Sequence, residues 1–114
     1  MTQALCLNCG EIKFGALCPC PQCQASSTGD VDLDIAFSDF HICEDDLREL
    51  GDVLKVIRFR SNDNEVRFWT FLHFISERHP HILKITLPDE MAAAVSDLYE
   101  SLPIPNIVIG KPNL

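Results

Sequence analysis

The sequence predicts an α/β protein: a cysteine-bound N-terminal segment, then a small three-stranded, mainly parallel sheet with about three helices in the order β-α-α-β-α-β. Three observations predict it. Val31, Leu33, Ile35 and Phe37 alternate with polar or small residues, the period-two signature of a strand with one buried face. Leu47, Leu50, Val53, Leu54 and Ile57 recur at helical spacing, and so do Phe68, Trp69, Phe71, Leu72 and Ile75. Five of the six cysteines crowd between positions 6 and 23.

The cysteine run reads Cys6-Leu-Asn-Cys9-Gly10, then Cys18-Pro-Cys20-Pro-Gln-Cys23. A Cys-x2-Cys turn aims two sulfurs at one point, and Gly10 suits the backbone conformation that such a turn needs. Two such turns supply four thiolates, the number that Zn²⁺ takes in tetrahedral structural sites. The expected ligands of one structural zinc are Cys6, Cys9, Cys20 and Cys23. Cys18 in place of Cys20 is the alternate ligand and gives a Cys-x4-Cys arm.

Residues 6–23 resemble the short zinc ribbons of bacterial proteins, in which two Cys-x2-Cys knuckles lie about ten residues apart. That resemblance implies a zinc-held β-hairpin and no particular activity, and it stops at residue 23. The second knuckle departs from the pattern by ending in Gln24 rather than Gly, and by carrying Cys18. No basic and apolar leader precedes Cys6, so a disulfide framework is not expected. An iron–sulfur cluster also takes four cysteines and stays open. Cys43 reads as a small buried hydrophobe.

At 114 residues and 46% hydrophobic content, the chain has material for one packed core. The expected division is a ribbon over 1–25, a small polar linker over 26–30 and an α/β domain over 31–114. No apolar run nears the ~18 residues of a membrane span, and a cytoplasmic protein is expected. A net charge of −8 argues against general nucleic-acid binding, which needs clustered Lys and Arg. The charge is uneven. Residues 30–52 hold nine acidic side chains against Arg48, whereas 55–84 are mainly basic.

After the strand over 31–37 comes a turn at 38–41. Glu44, Asp45 and Asp46 then open a helix to about Arg58, because the helix dipole favours acids in a first turn. Gly51 weakens that helix, and a short helix followed by a strand over 53–59 is the alternative. Asn62 and Glu65 are placed as a capping box for the next helix, which runs to about Arg78. Phe74 falls on its polar side, either covered by the ribbon or exposed as a partner contact. Pro80 stops this helix, and the apolar stretch 81–87 reads as a central strand. Pro88, Asp89 and Glu90 open the last helix, with Met91, Val95, Leu98, Tyr99 and Leu102 on its buried stripe. Residues 106–109 form the third strand, joined to the second by a right-handed parallel crossover.

The function expected on these grounds is that of a non-enzymatic, zinc-containing protein-binding module. Its size and acidity suit an inhibitor or immunity-type protein that masks a basic protein partner, with Glu44, Asp45, Asp46 and Phe74 at the contact. One rival is a metal- or phosphate-dependent enzyme. Ligands of open parallel sheets bind beyond the carboxyl ends of the strands, where Asp39, His41 and Asp89 would gather. The other rival is a nucleic-acid accessory protein using the ribbon and the Arg58–Arg67 flank. His73, His79 and His81 lack the acidic or thiolate companions of a second metal site.

Overall fold

A computed structural model describes residues 3–15, 18–24, 31–39 and 41–103, with the backbone alone at Val31. β1 (Gln3–Leu5) and β2 (Ile12–Phe14) pair antiparallel, with Gln3 opposite Phe14 and Leu5 opposite Ile12. Four helices follow: α1 (Val31–Ala36), α2 (Glu44–Arg60), α3 (Asn64–Arg78) and α4 (Asp89–Ser101). Among the described residues this hairpin is the whole sheet, so the expected three-stranded, mainly parallel sheet is not formed. The body is helical.

Two expected strands account for the difference. Of the expected strand over 31–37, Val31–Ala36 is helical, and the reason lies in the length of the pattern. Leu33, Ala36 and Phe37 are also i, i+3 and i+4, so six residues satisfy both periods. The extended backbone comes just afterwards. The Leu5 N–H donates to the Phe37 carbonyl at 2.8 Å, the Asp39 N–H to the Gln3 carbonyl at 2.8 Å, and Ala4 bridges Ser38 antiparallel. Over 81–87 the in–out alternation survives, with Ile85 and Leu87 half-buried and Lys84 and Thr86 exposed, but no ladder forms. A strand needs a neighbour, and here the Ile85 N–H donates instead to Ser76 Oγ of α3 at 3.2 Å. The expected third strand at 106–109 and the linker at 26–30 lie outside the described residues.

α2 forms as its spacing predicts, and it is one uninterrupted helix with no strand over 53–59. Leu47, Leu50, Gly51, Val53, Leu54 and Ile57 make a continuous buried stripe. Acids fill its first turn, Arg58 and Arg60 its last, and both placements complement the helix dipole. Cys43, expected inside, is exposed at the N-cap.

α3 starts from Asp63 rather than from a capping box at Asn62. The Asp63 carboxylate accepts the N–H groups of Glu65 (3.0 Å) and Val66 (3.1 Å). Its buried arc is wider than a one-faced helix would show, because α2 and α4 both pack on it. Phe74, expected on the polar side, is inside with Thr70, Phe71, Leu72 and Ile75, while Phe68 and Trp69 are half-buried. Among the described residues the Thr70 hydroxyl has no hydrogen-bond partner, a cost of about 1–3 kcal/mol for a buried polar group. α4 begins after Pro88, as the sequence indicates, and buries Val95 fully. Tyr99 ties it to α3 by accepting from Arg78 Nε at 3.1 Å and by edge contact with the His73 ring.

One core unites these parts. Leu5 from the hairpin, Phe37, Ile42, the α2 stripe and Phe71, Leu72, Phe74 and Ile75 of α3 form a single buried cluster, with Leu7 and Ile12 against it. The cysteine hairpin therefore shares the apolar interior of the helices. Its closest approach is at Gly10 and Gly51. A Cβ built on Gly51 would land on the carbonyl oxygen of Gly10, and one on Gly10 would land on that of Gly51. The glycine that looked like a flaw in α2 is what lets the first cysteine turn lie against the helix. Gly10 also takes φ +82°, a conformation that favours glycine.

Gly51→Ala tests this contact. Helix propensity alone favours Ala by about 1 kcal/mol. The clash is expected to reverse the sign and to destabilise the fold by about 2 kcal/mol or more, read by urea denaturation.

Candidate metal centre

The first knuckle is a tight turn closed by the Gly10 N–H donating to the Cys6 carbonyl at 2.9 Å. Within it, the backbone N–H groups of Asn8 and Cys9 favour the thiolate form of Cys6, and that of Glu11 favours the thiolate form of Cys9. The second knuckle repeats the closure, with the Gln24 N–H donating to the Cys20 carbonyl at 2.7 Å. Gln24 stands where the first knuckle has Gly10, and it takes the same left-handed conformation at φ +62°. A non-glycine residue there costs about 1–2 kcal/mol of backbone strain. The turn is thus imposed on Gln24 by what it closes.

The two knuckles bring Cys6, Cys9, Cys20 and Cys23 together, with all four sulfurs within 4.8 Å of one another. Cys6 and Cys23 are 3.6 Å apart, and Cys9 and Cys20 are 3.7 Å apart. Thiolates around one tetrahedral ion at about 2.3 Å have sulfur–sulfur edges of about 3.8 Å, whereas a disulfide bond is about 2.05 Å. The geometry is compatible with a cage for one metal ion, and none of the four is in a disulfide. Cys6, Cys9 and Cys20 are buried and Cys23 is half-buried. Asn8 Nδ2 donates to the Cys23 sulfur at 3.4 Å, a further dipole aimed at negative charge.

Burial pushes the Cys6 thiol up and the Cys9 thiol well up, against the backbone N–H groups that favour the thiolate. A cation bound among these sulfurs would favour their thiolate forms. Four such sulfurs can hold one metal ion. Cys18 is outside the group. It is exposed, its sulfur lies against Gly15, and the Lys13 ammonium donates to its carbonyl at 2.9 Å.

A salt bridge from Glu11 to Lys55 at 2.9 Å joins the hairpin to α2 beside the glycine contact. The Glu11 hydrogen bond holds the Lys55 ammonium above its usual range, aided by the charges of Glu11 and Asp52. Both partners are about half exposed, so this pair orients more than it stabilises.

The other candidate residues are dispersed. Among the described residues, the four cysteines are the one group of three or more His, Cys, Asp or Glu side chains with mutually close ligand atoms. Asp39, His41 and Asp89 therefore do not converge. The Asp39 carboxylate accepts the Gln3 N–H at 3.1 Å, His41 lines a cavity of about 270 Å³ with His81, and Asp89 sits exposed in the first turn of α4. Of the expected contact residues, Asp45 is exposed, Glu44 pairs with Arg48 at 2.9 Å and Asp46 is half-buried. Phe74 is 1% exposed, between the rings of Phe71 and His79, and offers no surface to a partner. The exposed phenylalanines among the described residues are Phe14 of β2, 56% open, and Phe59, 89% open beside Arg58 and Arg60. A lone Phe off the buried stripe of α2 was the signal for Phe59.

Comparison of this chain with protein-family models, with curated proteins and with solved structures finds no match in any of the three.

Cobalt(II) titration tests the ligand set. Cys20→Ser is expected to lose the thiolate-to-metal absorption of a four-sulfur site, and Cys18→Ser to keep it in full. A second measurement concerns His79, which is 5% exposed. Burial lowers its pKa from 6.5, with His81 and Arg78 acting in the same direction and Asp46 opposing. The unfolded chain then takes up a proton near 6.5 while the folded one resists. The His79 contribution is therefore complete above that pH and is lost as pH falls through 6.5 towards the folded value. Urea denaturation from about pH 7 to about pH 5 is expected to show a smaller loss of stability in His79→Gln than in the parent.

Proposed function

We propose that the four cysteines hold a single structural zinc ion and that the chain is a protein-binding module built on that staple. The observation that carries the first part is the convergence of four sulfurs within 4.8 Å of one another, two pairs of them at 3.6 and 3.7 Å, close to tetrahedral edge length. Zinc would supply a redox-inert dication that four thiolates satisfy completely. An iron–sulfur cluster spreads its cysteines over several irons, and the short sulfur–sulfur separations favour a mononuclear site. Cys6, Cys9, Cys20 and Cys23 would each give one thiolate. The surrounding N–H groups and Asn8 would offset the excess negative charge of the four-sulfur set.

The second part rests on surface charge. Asp45, Glu49 and Asp52 are exposed along α2, in a chain of net charge −8. A rigid helix carrying such a row suits a partner with a basic surface, whose encounter it would steer. Phe74 plays no part in this reading.

Two experiments test it. Native mass spectrometry is expected to find one zinc per chain, and chelation to unfold the hairpin, since structural zinc contributes on the order of 10 kcal/mol of coupled binding and folding free energy. For the partner captured by the full chain, Asp45→Lys combined with Glu49→Lys is expected to slow association about tenfold at low salt and to leave dissociation nearly unchanged. Association that ignores both salt and these reversals would exclude the acidic surface as the docking face.

A further inference from the structure

We infer that the cavity between α1, α3 and residues 82–85 is a binding site for a small alkylated ammonium ion with an apolar body. The cavity measures about 550 Å³, within the ~300–1,000 Å³ range of small-molecule sites. Leu72, Ile82 and Ile85 form apolar walls, the rings of Phe68 and Trp69 face them, and Asp32 is the one charged side chain among the described lining residues.

The two aromatic residues are what set this cavity apart from a gap in packing. Their ring centroids are 5.5 Å apart and the planes stand at 76° to one another. Both side chains are half-buried, whereas Phe71 and Phe74 on the same helix are fully inside. Both residues line the cavity and keep part of their surface exposed. Aromatic faces carry negative quadrupolar charge and attract ammonium groups within about 6 Å, most strongly in the case of Trp.

Asp32 selects the sign of the ligand. It lies in the first turn of α1, is exposed, and brings the one carboxylate to a hollow whose other described lining residues are apolar. A neutral apolar guest would lie beside that carboxylate with nothing to offer it. An anion would be repelled by both the carboxylate and the ring faces. An alkylated ammonium ion meets both, and its carbon chain fills the space along Leu72, Ile82 and Ile85. The site shares no residue with the cysteine cage or with the acidic row of α2.

Trp69 is the sole tryptophan, so its fluorescence reads occupancy directly. The full chain is titrated with hexyltrimethylammonium, 1-hexanol and hexane-1-sulfonate, which share one tail and are cationic, neutral and anionic. The cation is expected to give saturable quenching with affinity at least about tenfold above that of the alcohol, and the sulfonate to bind weakest. Asp32→Asn, a change at an exposed position, is expected to lower affinity for the cation about fivefold and to leave the alcohol unaffected. Phe68→Leu keeps the reporter and is expected to narrow the preference for the cation. Equal affinity for cation and alcohol would overturn the assignment. So would an equal effect of Asp32→Asn on both, or no saturable change in Trp69 emission.

Discussion

Where the first cysteine turn lies on α2, backbone meets backbone, because neither Gly10 nor Gly51 has a Cβ to hold the two apart. Much else hangs on this approach. It sets the hairpin close enough for Leu5, Leu7 and Ile12 to enter the helical core and for Glu11 to reach Lys55. The cage for the metal is consequently joined to the longest helix without a flexible tether. Ordering the four sulfurs and ordering α2 against the hairpin become one event rather than two. Structural metal sites commonly couple binding to folding in this way, and a metal held by these sulfurs would be coupled to α2 through the two glycines.

The hairpin is secured on its other side by the chain that leaves α1. Residues 37–39 run along the free edge of β1, so β1 has hydrogen-bonded neighbours on both flanks. Unpaired strand edges invite association with other chains, and covering one is a common defence. Phe37, fully buried against Phe71 with ring centroids 5.5 Å apart, pins this short stretch to the helices at the same point. Removing a ring of that size from such a site typically costs about 3–5 kcal/mol.

How much of this could be read from the amino acids depends on the range of the interaction. The α2 stripe from Leu47 to Ile57 is long and strictly periodic, and helix and sequence agree there. The cysteine turns are equally local, and the four sulfurs that meet are the ones in Cys-x2-Cys spacing. Over 31–37 the window was too short to separate a period of two from one of 3.6. Over 81–87 the apolar alternation was real, but whether a neighbouring strand exists is a tertiary fact that no local pattern carries. The period of α3 alone puts Phe74 on the polar side and leaves its cover open, whereas α3 is covered by two neighbours. Gly51 was the sharpest miss. A glycine inside a helix reads as weakness until the partner backbone is known.

The order of charges along α2 has a physical consequence of its own. Glu44, Asp45, Asp46, Glu49 and Asp52 occupy its first part, and Lys55, Arg58 and Arg60 its last. The 17-residue helix is about 25 Å long, so charge of opposite sign is held apart on a stiff rod. The side chains run against the backbone dipole, positive at its N-terminus, and more than cancel it. What remains is a lever on which an external field exerts torque as well as pull. A charged body approaching at low ionic strength would turn this molecule before touching it. At physiological ionic strength the Debye length of about 8 Å confines that turning to the last few ångströms of approach.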